Sequence, residues 1–389
     1  MHAQMPVRLV ALLLALTSAV SATDINPATC PIEVRTFGLE EGLGTQRGIT
    51  AVERADGRPL VAVFANQGDK EGVWTWSCND PQCESGSMSL LGMFSFLQNH
   101  PIVMVRANGR PLVFAEGGLG LTLFDCDDAD CRFSRRLSVP GYLTSDAGFD
   151  GLLGRNGLPR LVSGTNSGPG LVMYFCGTPD CTSASRVFIA SGLGVGQYFN
   201  PVLARGSQGQ VVVLHIADVG TGYLPRVMVC SDEDCGTARY ITPVLPAGVT
   251  VWDVAMRTDG RLLLLETEFV GGDFVNRLRQ CADSDCASST TVTLPTNFGF
   301  SMRIDPDGRP MIGYGGFDFG LIACTDSACS ASAIRYMGSA VTNGGAFARI
   351  ALNADGRPMV AVADRSGGPP RLGLCLSARV MRDGFEPAE

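Results

Sequence analysis

The chain has 389 residues, 45% of them hydrophobic, with a formal net charge of -8 and a pI near 5.0. A chain of that length can bury a large core and would ordinarily divide into two or three domains. The acidic balance argues against nucleic acid and against an anionic membrane surface as main partners, because both select clustered positive charge.

Residues 1–22 read as a secretory signal peptide. Arg8 follows a polar start, an apolar run covers 9–20, and Val20, Ser21 and Ala22 offer a cleavage site. No later stretch reaches the roughly 20 apolar residues that a membrane-spanning helix requires. The mature chain is therefore expected to be exported, to the periplasm or the medium, as a soluble monomer with no transmembrane segment. In such an oxidising compartment its 14 cysteines imply disulfides.

Cys30 opens a short apolar stretch at 30–35 that has the character of an outer strand. From there two signals recur in step. One is a hairpin turn: Asp56-Gly57, Asn108-Gly109, Asn156-Gly157, a weaker copy at Gln208-Gly209, then Asp259-Gly260, Asp307-Gly308 and Asp355-Gly356, with successive glycines 48 to 52 residues apart. Asp-Gly or Asn-Gly between alternating apolar stretches predicts a type I′ turn, whose two central residues both need positive φ. The other is a cysteine pair with four residues between: Cys78/Cys83, Cys126/Cys131, Cys176/Cys181, Cys230/Cys235, Cys281/Cys286 and Cys324/Cys329. Each is expected to form a disulfide, and zinc is disfavoured because successive pairs are too far apart to converge on one ion.

Each unit then reads as four strands. In the first, 49–54 precedes the turn, 60–65 follows it, and a third strand at 73–78 runs into the cysteine pair, after which a fourth leaves. Four antiparallel strands per unit of about 50 residues indicate a propeller blade, and no segment shows the 3.6-residue period of a helical repeat. The expected fold is an all-β, seven-bladed β-propeller over 23–377, followed by a short tail over 378–389. Cys375 closes a third strand with no fourth after it, so the N-terminal strand should complete the last blade and Cys30 should bond Cys375.

The unit of strand, Asp/Asn-Gly-Arg-Pro, apolar strand, Gly-rich loop and strand ending in two spaced cysteines resembles the tandem repeats of uncharacterised exported bacterial proteins, placed loosely with sialidase-like propellers. The resemblance spans 30–375 and implies the fold without a defined activity. The Ser-x-Asp-x-Gly-x-x-Trp box of true sialidases is absent. The ending Arg382-Asp383-Gly384-Phe385-Glu386 resembles short tails of exported proteins of GC-rich bacteria, which would suit a structural, envelope-associated protein.

Propeller topology sorts the loops. The Asp-Gly turns and cysteine hairpins share one face, and the longer, more variable connections share the other, where binding commonly resides. On the variable face Phe96, His100, Asp146, Tyr198, Asn200, Trp252, Phe300 and Phe347 are the candidate ligand contacts, since aromatics beside carboxylates and amides suit sugars. A catalytic version would draw a carboxylate pair from Asp150, Asp253, Glu266 and Glu268, as a glycoside hydrolase or polysaccharide lyase does. His215, inside an apolar run, reads as a core residue. The acidic cysteine loops read as a solvated rim in preference to calcium sites, and Arg54, Arg106, Arg155, Arg205 and Arg257 as structural groups near the turns. The expected function is non-catalytic binding of a carbohydrate or an extracellular or periplasmic protein, with no cofactor and no metal.

Overall fold

In the computed structural model the chain is described over residues 30–375, apart from 38–42, 68–69, 96, 118–119, 143–147, 165–170, 190–197, 207–208, 219–222, 247, 297–298, 341–344 and 366–367. The expected signal peptide and tail lie outside the described residues. Every regular element described is a strand, and the strands form seven four-stranded antiparallel sheets. Six are continuous in sequence: blade 1 (43–94), blade 2 (97–138), blade 3 (149–188), blade 4 (198–241), blade 5 (249–293) and blade 6 (299–339). Blade 7 is built from 346–375 and takes its outermost strand, Ile32–Thr36, from the start of the described chain. The expected architecture is the one observed.

The second strand of a blade is apolar because both of its faces are covered. Pro111–Gly117 and Pro358–Asp364 are buried along their whole lengths, whereas the outer strand Ala184–Phe188 is largely exposed. The core is accordingly divided into seven apolar clusters, one at each junction between successive blades. Phe114 and Leu123 of blade 2 meet Phe149 and Tyr174 of blade 3 in one of them. Val61 and Trp74 of blade 1 meet Ala361 and Leu372 of blade 7 in another, which closes the ring.

Three further contacts secure that closing junction. Ile32 pairs with Cys375 and Thr36 with Arg371 along the borrowed strand. Cys30 and Cys375 are disulfide-bonded, with their Cα atoms 5.7 Å apart. The buried side chain of Gln46, on the first strand of blade 1, accepts from Asp364 N–H at 3.2 Å and donates to Gly368 O at 2.5 Å on blade 7.

The repeated turn differs in type from the sequence expectation. Only the glycine takes positive φ, from 73° at Gly157 to 89° at Gly209, and the Asp or Asn before it does not. Gly57 N–H donates to Arg54 O and Arg54 N–H to Arg58 O, which defines a type I turn closed by a bulged glycine. The extra residue lets the Asp or Asn stay in its ordinary conformation and accept from the N–H two residues on, as Asp56 does from Arg58 at 3.1 Å. The weak copy at Gly209 has the same geometry, with Gly209 N–H donating to Gly206 O.

The cysteines pair as expected: Cys78–Cys83, Cys126–Cys131, Cys176–Cys181, Cys230–Cys235, Cys281–Cys286 and Cys324–Cys329 are all disulfide-bonded, with Cα atoms 4.7 to 4.8 Å apart. Their backbone departs from an ordinary hairpin, and nothing in the spacing announces it. The second cysteine of every pair lies in the left-handed region, at φ 54° for Cys83 and Cys131, 51° for Cys181 and Cys329, and 53° for Cys235 and Cys286. That region favours glycine and costs a side-chain-bearing residue on the order of 1 kcal/mol or more. Two bonds hold the conformation. The disulfide is one, and the other is a tight backbone turn in which Cys83 N–H donates to Asp80 O, Cys131 to Asp128 O, Cys181 to Thr178 O, Cys286 to Asp283 O and Cys329 to Asp326 O.

In five hairpins the residue two places after the first cysteine is an aspartate whose side chain caps the loop: Asp283, for example, accepts from Asp285, Ala287 and Ser288 N–H. Thr178 takes that place in the third blade, accepting from Ser183 N–H.

The acidic loops are therefore more than a solvated rim, because each hairpin is also gripped by the blade before it. Arg35 donates to Gln82 O, Arg54 to Asp130, Arg135 to Asp180, Arg160 to Asp234, Arg239 to Asp285 and Arg257 to Ser327. Arg54 is the most embedded: its side chain is inaccessible to solvent and also bonds Ser77 Oγ and Cys78 O. It also donates to Arg58 O, as Arg106 does to Arg110 O, so these two arginines brace their turns.

Cys30 and Cys375 are 345 residues apart in sequence and each hairpin pair only 5. Cross-linking the long loop is worth on the order of 5 kcal/mol in the chain-entropy picture, against roughly 2 for a hairpin. Denaturant melts should show Cys375→Ser losing more unfolding free energy than any single hairpin variant such as Cys230→Ser, and an equal or smaller loss would show that the covalent closure is not what holds the ring.

Candidate functional site at the channel

The first strand of each blade follows a variable connection and meets the first strands of its neighbours around the axis. Its register is the same throughout. Seven residues before each turn glycine stand Thr50, Ile102, Asp150, Val202, Asp253, Ser301 and Arg349. Asp150, Asp253 and Ser301 each reach forward to the next blade's first strand, accepting from Leu203 N–H at 2.8 Å, Met302 N–H at 2.6 Å and Ile350 N–H at 3.3 Å. The other oxygen of each aspartate accepts from the following residue of its own strand, Gly151 or Val254. Both carboxylates thus serve as buried stitches between blades, at 9% and 1% exposure.

A different kind of contact shows where the channel is. Arg349 in blade 7 donates to Nδ1 of His100 in blade 2 at 3.0 Å. Blade 1 lies between those two blades, so the bond joins blades that are not neighbours in the ring. Arg349 is also within electrostatic reach of Asp150 in blade 3, Asp253 in blade 5 and Arg303 in blade 6. Arg303 lies 3.6 Å from Asp253 and donates to Met302 O at 2.7 Å. Five charged or polar groups from five blades converge there.

The convergence sets their protonation. Burial, then the charges of Arg349 and Arg303, hold the His100 imidazole well below its ordinary pKa. It is therefore neutral, with Nδ1 as acceptor and Nε2 carrying the proton. Burial pushes Asp150 and Asp253 up, against the pull of the two guanidiniums and the backbone N–H bonds. Burial lowers Arg349 itself.

Of the sequence candidates, His100, Asp150 and Asp253 come together at this site. The others described do not. Glu266 is fully buried in a two-pronged ion pair with Arg279, at 2.8 and 3.0 Å, and Glu268 is paired with Arg277. Both belong to the second strand of blade 5, away from the axis, where each carboxylate meets an arginine on the third strand. Trp252 turns its indole N–H to Thr267 Oγ1 at 2.8 Å, within its own blade. The Phe347 ring lies under Arg365, whose guanidinium carbon is 3.9 Å from the ring centroid. Tyr142 places its hydroxyl 2.9 Å from Glu116 and 3.1 Å from Ser163, tying blade 2 to blade 3. Phe96 and Asp146 lie outside the described residues, as do the side chains of Tyr198, Asn200 and Phe300.

Arg303 and Arg349 were not anticipated. The available signal was a polar residue at a fixed offset from the turn glycine in otherwise apolar first strands, and Arg349 holds that offset. His215 is fully buried in blade 4, as a core residue. No group of three or more histidine, cysteine, aspartate or glutamate side chains able to hold a metal ion occurs among the described residues.

No protein-family model and no curated protein matches the chain. Solved structures do match in fold. An ulvan lyase of a new polysaccharide lyase family, bound to -[GlcA(1-4)Rha3S]-, is 12% identical with a TM-score of 0.59, over 91% of this chain and 100% of that one. The WD40 β-propeller domain of Doa1 is 12% identical with a TM-score of 0.56, over 90% and 99%. The Penicillium chrysogenum α-L-arabinanase complexed with arabinobiose is 12% identical with a TM-score of 0.52, over 72% and 93%. At such identities the likeness is one of fold, the β-propeller.

Two stability measurements check these assignments. Removing one partner of a buried ion pair typically costs about 3–5 kcal/mol, so Glu266→Ala should lose that much in denaturant melts if the carboxylate is structural. For His215, burial and then the charge of Arg226 lower the pKa from 6.5 to about 4. The imidazole is neutral in the fold and gains a proton on unfolding, so its contribution is complete above pH 6.5 and is lost as pH falls towards 4, with His100 adding a loss of the same sign. At about 1.4 kcal/mol per pH unit the His215 share is about 3 kcal/mol. Melts across that range should show the loss in the wild type and a shallower slope in His215→Gln.

Proposed function

We propose that this propeller is a non-catalytic binding protein that takes a carbohydrate or a protein partner on the face of its variable connections, over the channel. One observation carries the reading: all four carboxylates considered for catalysis are engaged in structure. Asp150 and Asp253 have both oxygens on backbone N–H groups, and Glu266 and Glu268 are paired with arginines. Acid and base catalysis needs carboxylates free to exchange a proton with substrate or water.

A second reading, a glycoside hydrolase or polysaccharide lyase, is supported by the raised pKa of Asp150 and Asp253, which suits a general acid. The ulvan lyase and the arabinanase similar in fold are carbohydrate-active proteins by their own descriptions. Seven disulfides fit an oxidising compartment, and no helix among the described residues is long and apolar enough to cross a membrane. We place the protein among exported proteins, acting as a monomer.

Incubating the purified mature protein with soluble and insoluble polysaccharides, and measuring both protein retained and sugar released, separates the readings. Retention without product is the expected result. Product that disappears in Asp150→Asn and Asp253→Asn would make the protein an enzyme, and failure on both counts would leave a protein partner.

A further inference from the structure

We infer that the channel binds an oxyanion, a carboxylate or sulfate group, between Arg349, Arg303 and His100. The inference deepens the binding reading above and rests on it.

The argument is one of donors and their partners. A guanidinium carries five N–H groups in a planar fork that matches the two oxygens of a carboxylate or sulfate. Arg349 spends one of its N–H groups on His100, and no other hydrogen bond from it is found among the described residues. Arg303 donates to Met302 O, and its side chain is 41% exposed. The two aspartates nearby do not complete these forks. Their oxygens accept from backbone N–H groups of their own strand and of the next blade, and the nearer approach, Asp253 to Arg303, is 3.6 Å, beyond hydrogen-bond distance.

His100 adds a donor of its own. With Nδ1 accepting from Arg349, its proton is on Nε2, which has no partner among the described residues. Two cationic forks and an imidazole N–H, from three blades, thus lie within electrostatic reach of one another, with the local carboxylates already engaged. Arg349 and Arg303 are like charges within reach of each other, and an incoming oxyanion satisfies both arginines together. Neutral sugars gain nothing comparable, so the ligand class is anionic: a uronate or sulfated unit of a glycan, or a free inorganic oxyanion.

The test titrates the mature protein with sodium glucuronate, sodium sulfate and polygalacturonate, using neutral arabinan as the control, and repeats each titration on Arg349→Gln and Arg303→Gln. Charged hydrogen bonds of this kind are worth enough that each variant should bind about tenfold more weakly or worse. The imidazole of His100 reports independently: its Nε2–H NMR signal should shift on addition of glucuronate while that of buried His215 stays put. Binding of glucuronate and polygalacturonate supports a glycan source, and binding of sulfate alone supports a free anion in the same site. Absence of anion binding, or wild-type affinity in both variants, overturns the inference. Retention on arabinan without anion binding would do so while leaving the binding reading intact. Because Arg349→Gln alters a half-buried group bonded to another blade, Arg303→Gln, at a more exposed position, serves as the variant whose folding is checked first by denaturant melt.

Discussion

The structure depends on a simple constraint: a four-stranded sheet that is apolar on both faces cannot stand in water alone. Each blade here has such a sheet at its centre, as the fully buried strands Pro111–Gly117 and Pro358–Asp364 show. Every blade therefore needs a neighbour on each side, and an open row would leave two apolar faces bare. Closing the row into a ring satisfies all of them at once. The borrowed strand Ile32–Thr36, the Cys30–Cys375 bond and the Gln46 side chain all act at the one junction where sequence continuity offers no help.

Away from that junction the blades are joined by two further sets of bonds at different radii. Near the axis, Asp150, Asp253 and Ser301 bond the backbone of the blade ahead. Towards the rim, an arginine in six of the seven blades bonds the next blade's cysteine hairpin, as Arg54 bonds Asp130 and Arg160 bonds Asp234. The disulfides contribute indirectly, by fixing loops in which the second cysteine, Cys131 or Cys235 in these two cases, lies in a costly conformation. A loop so fixed presents its acceptor at nearly the same place in each unit, an aspartate in blades 2 to 5, and the preceding blade needs only one long side chain to find it.

The fold was legible because the repeat is written in residues with strong local meaning. Glycine at the seven turns and cysteine at the hairpins mark chain geometry directly, and their spacing gives the blade number. The turn type was misjudged, because Asp-Gly is compatible with either a two-residue loop or one with an extra bulged residue, and only backbone geometry distinguishes them. The left-handed backbone at Cys83 and its five counterparts was hidden for the opposite reason: positive φ is read from glycine or asparagine, and a cysteine held there by its own disulfide carries no such mark.

The site was legible in part. His100, Asp150 and Asp253 could be found as polar residues in inner strands, whereas Glu266 was misplaced because its partner Arg279 lies across a strand pair whose facing cannot be read from composition. The bond from His100 to Arg349 joins residues 249 apart in sequence. No local pattern carries such a contact; it exists only once the ring has closed.

The closing strand also fixes how the molecule is presented. Cys375 ends a third strand and Cys30 leads into a fourth, so the described chain begins and ends side by side on the face of the turns and cysteine hairpins. The variable connections open in the opposite direction. Whatever joins the ring at Cys30 or Cys375 does so on its back, the side turned away from the mouth that the variable connections surround.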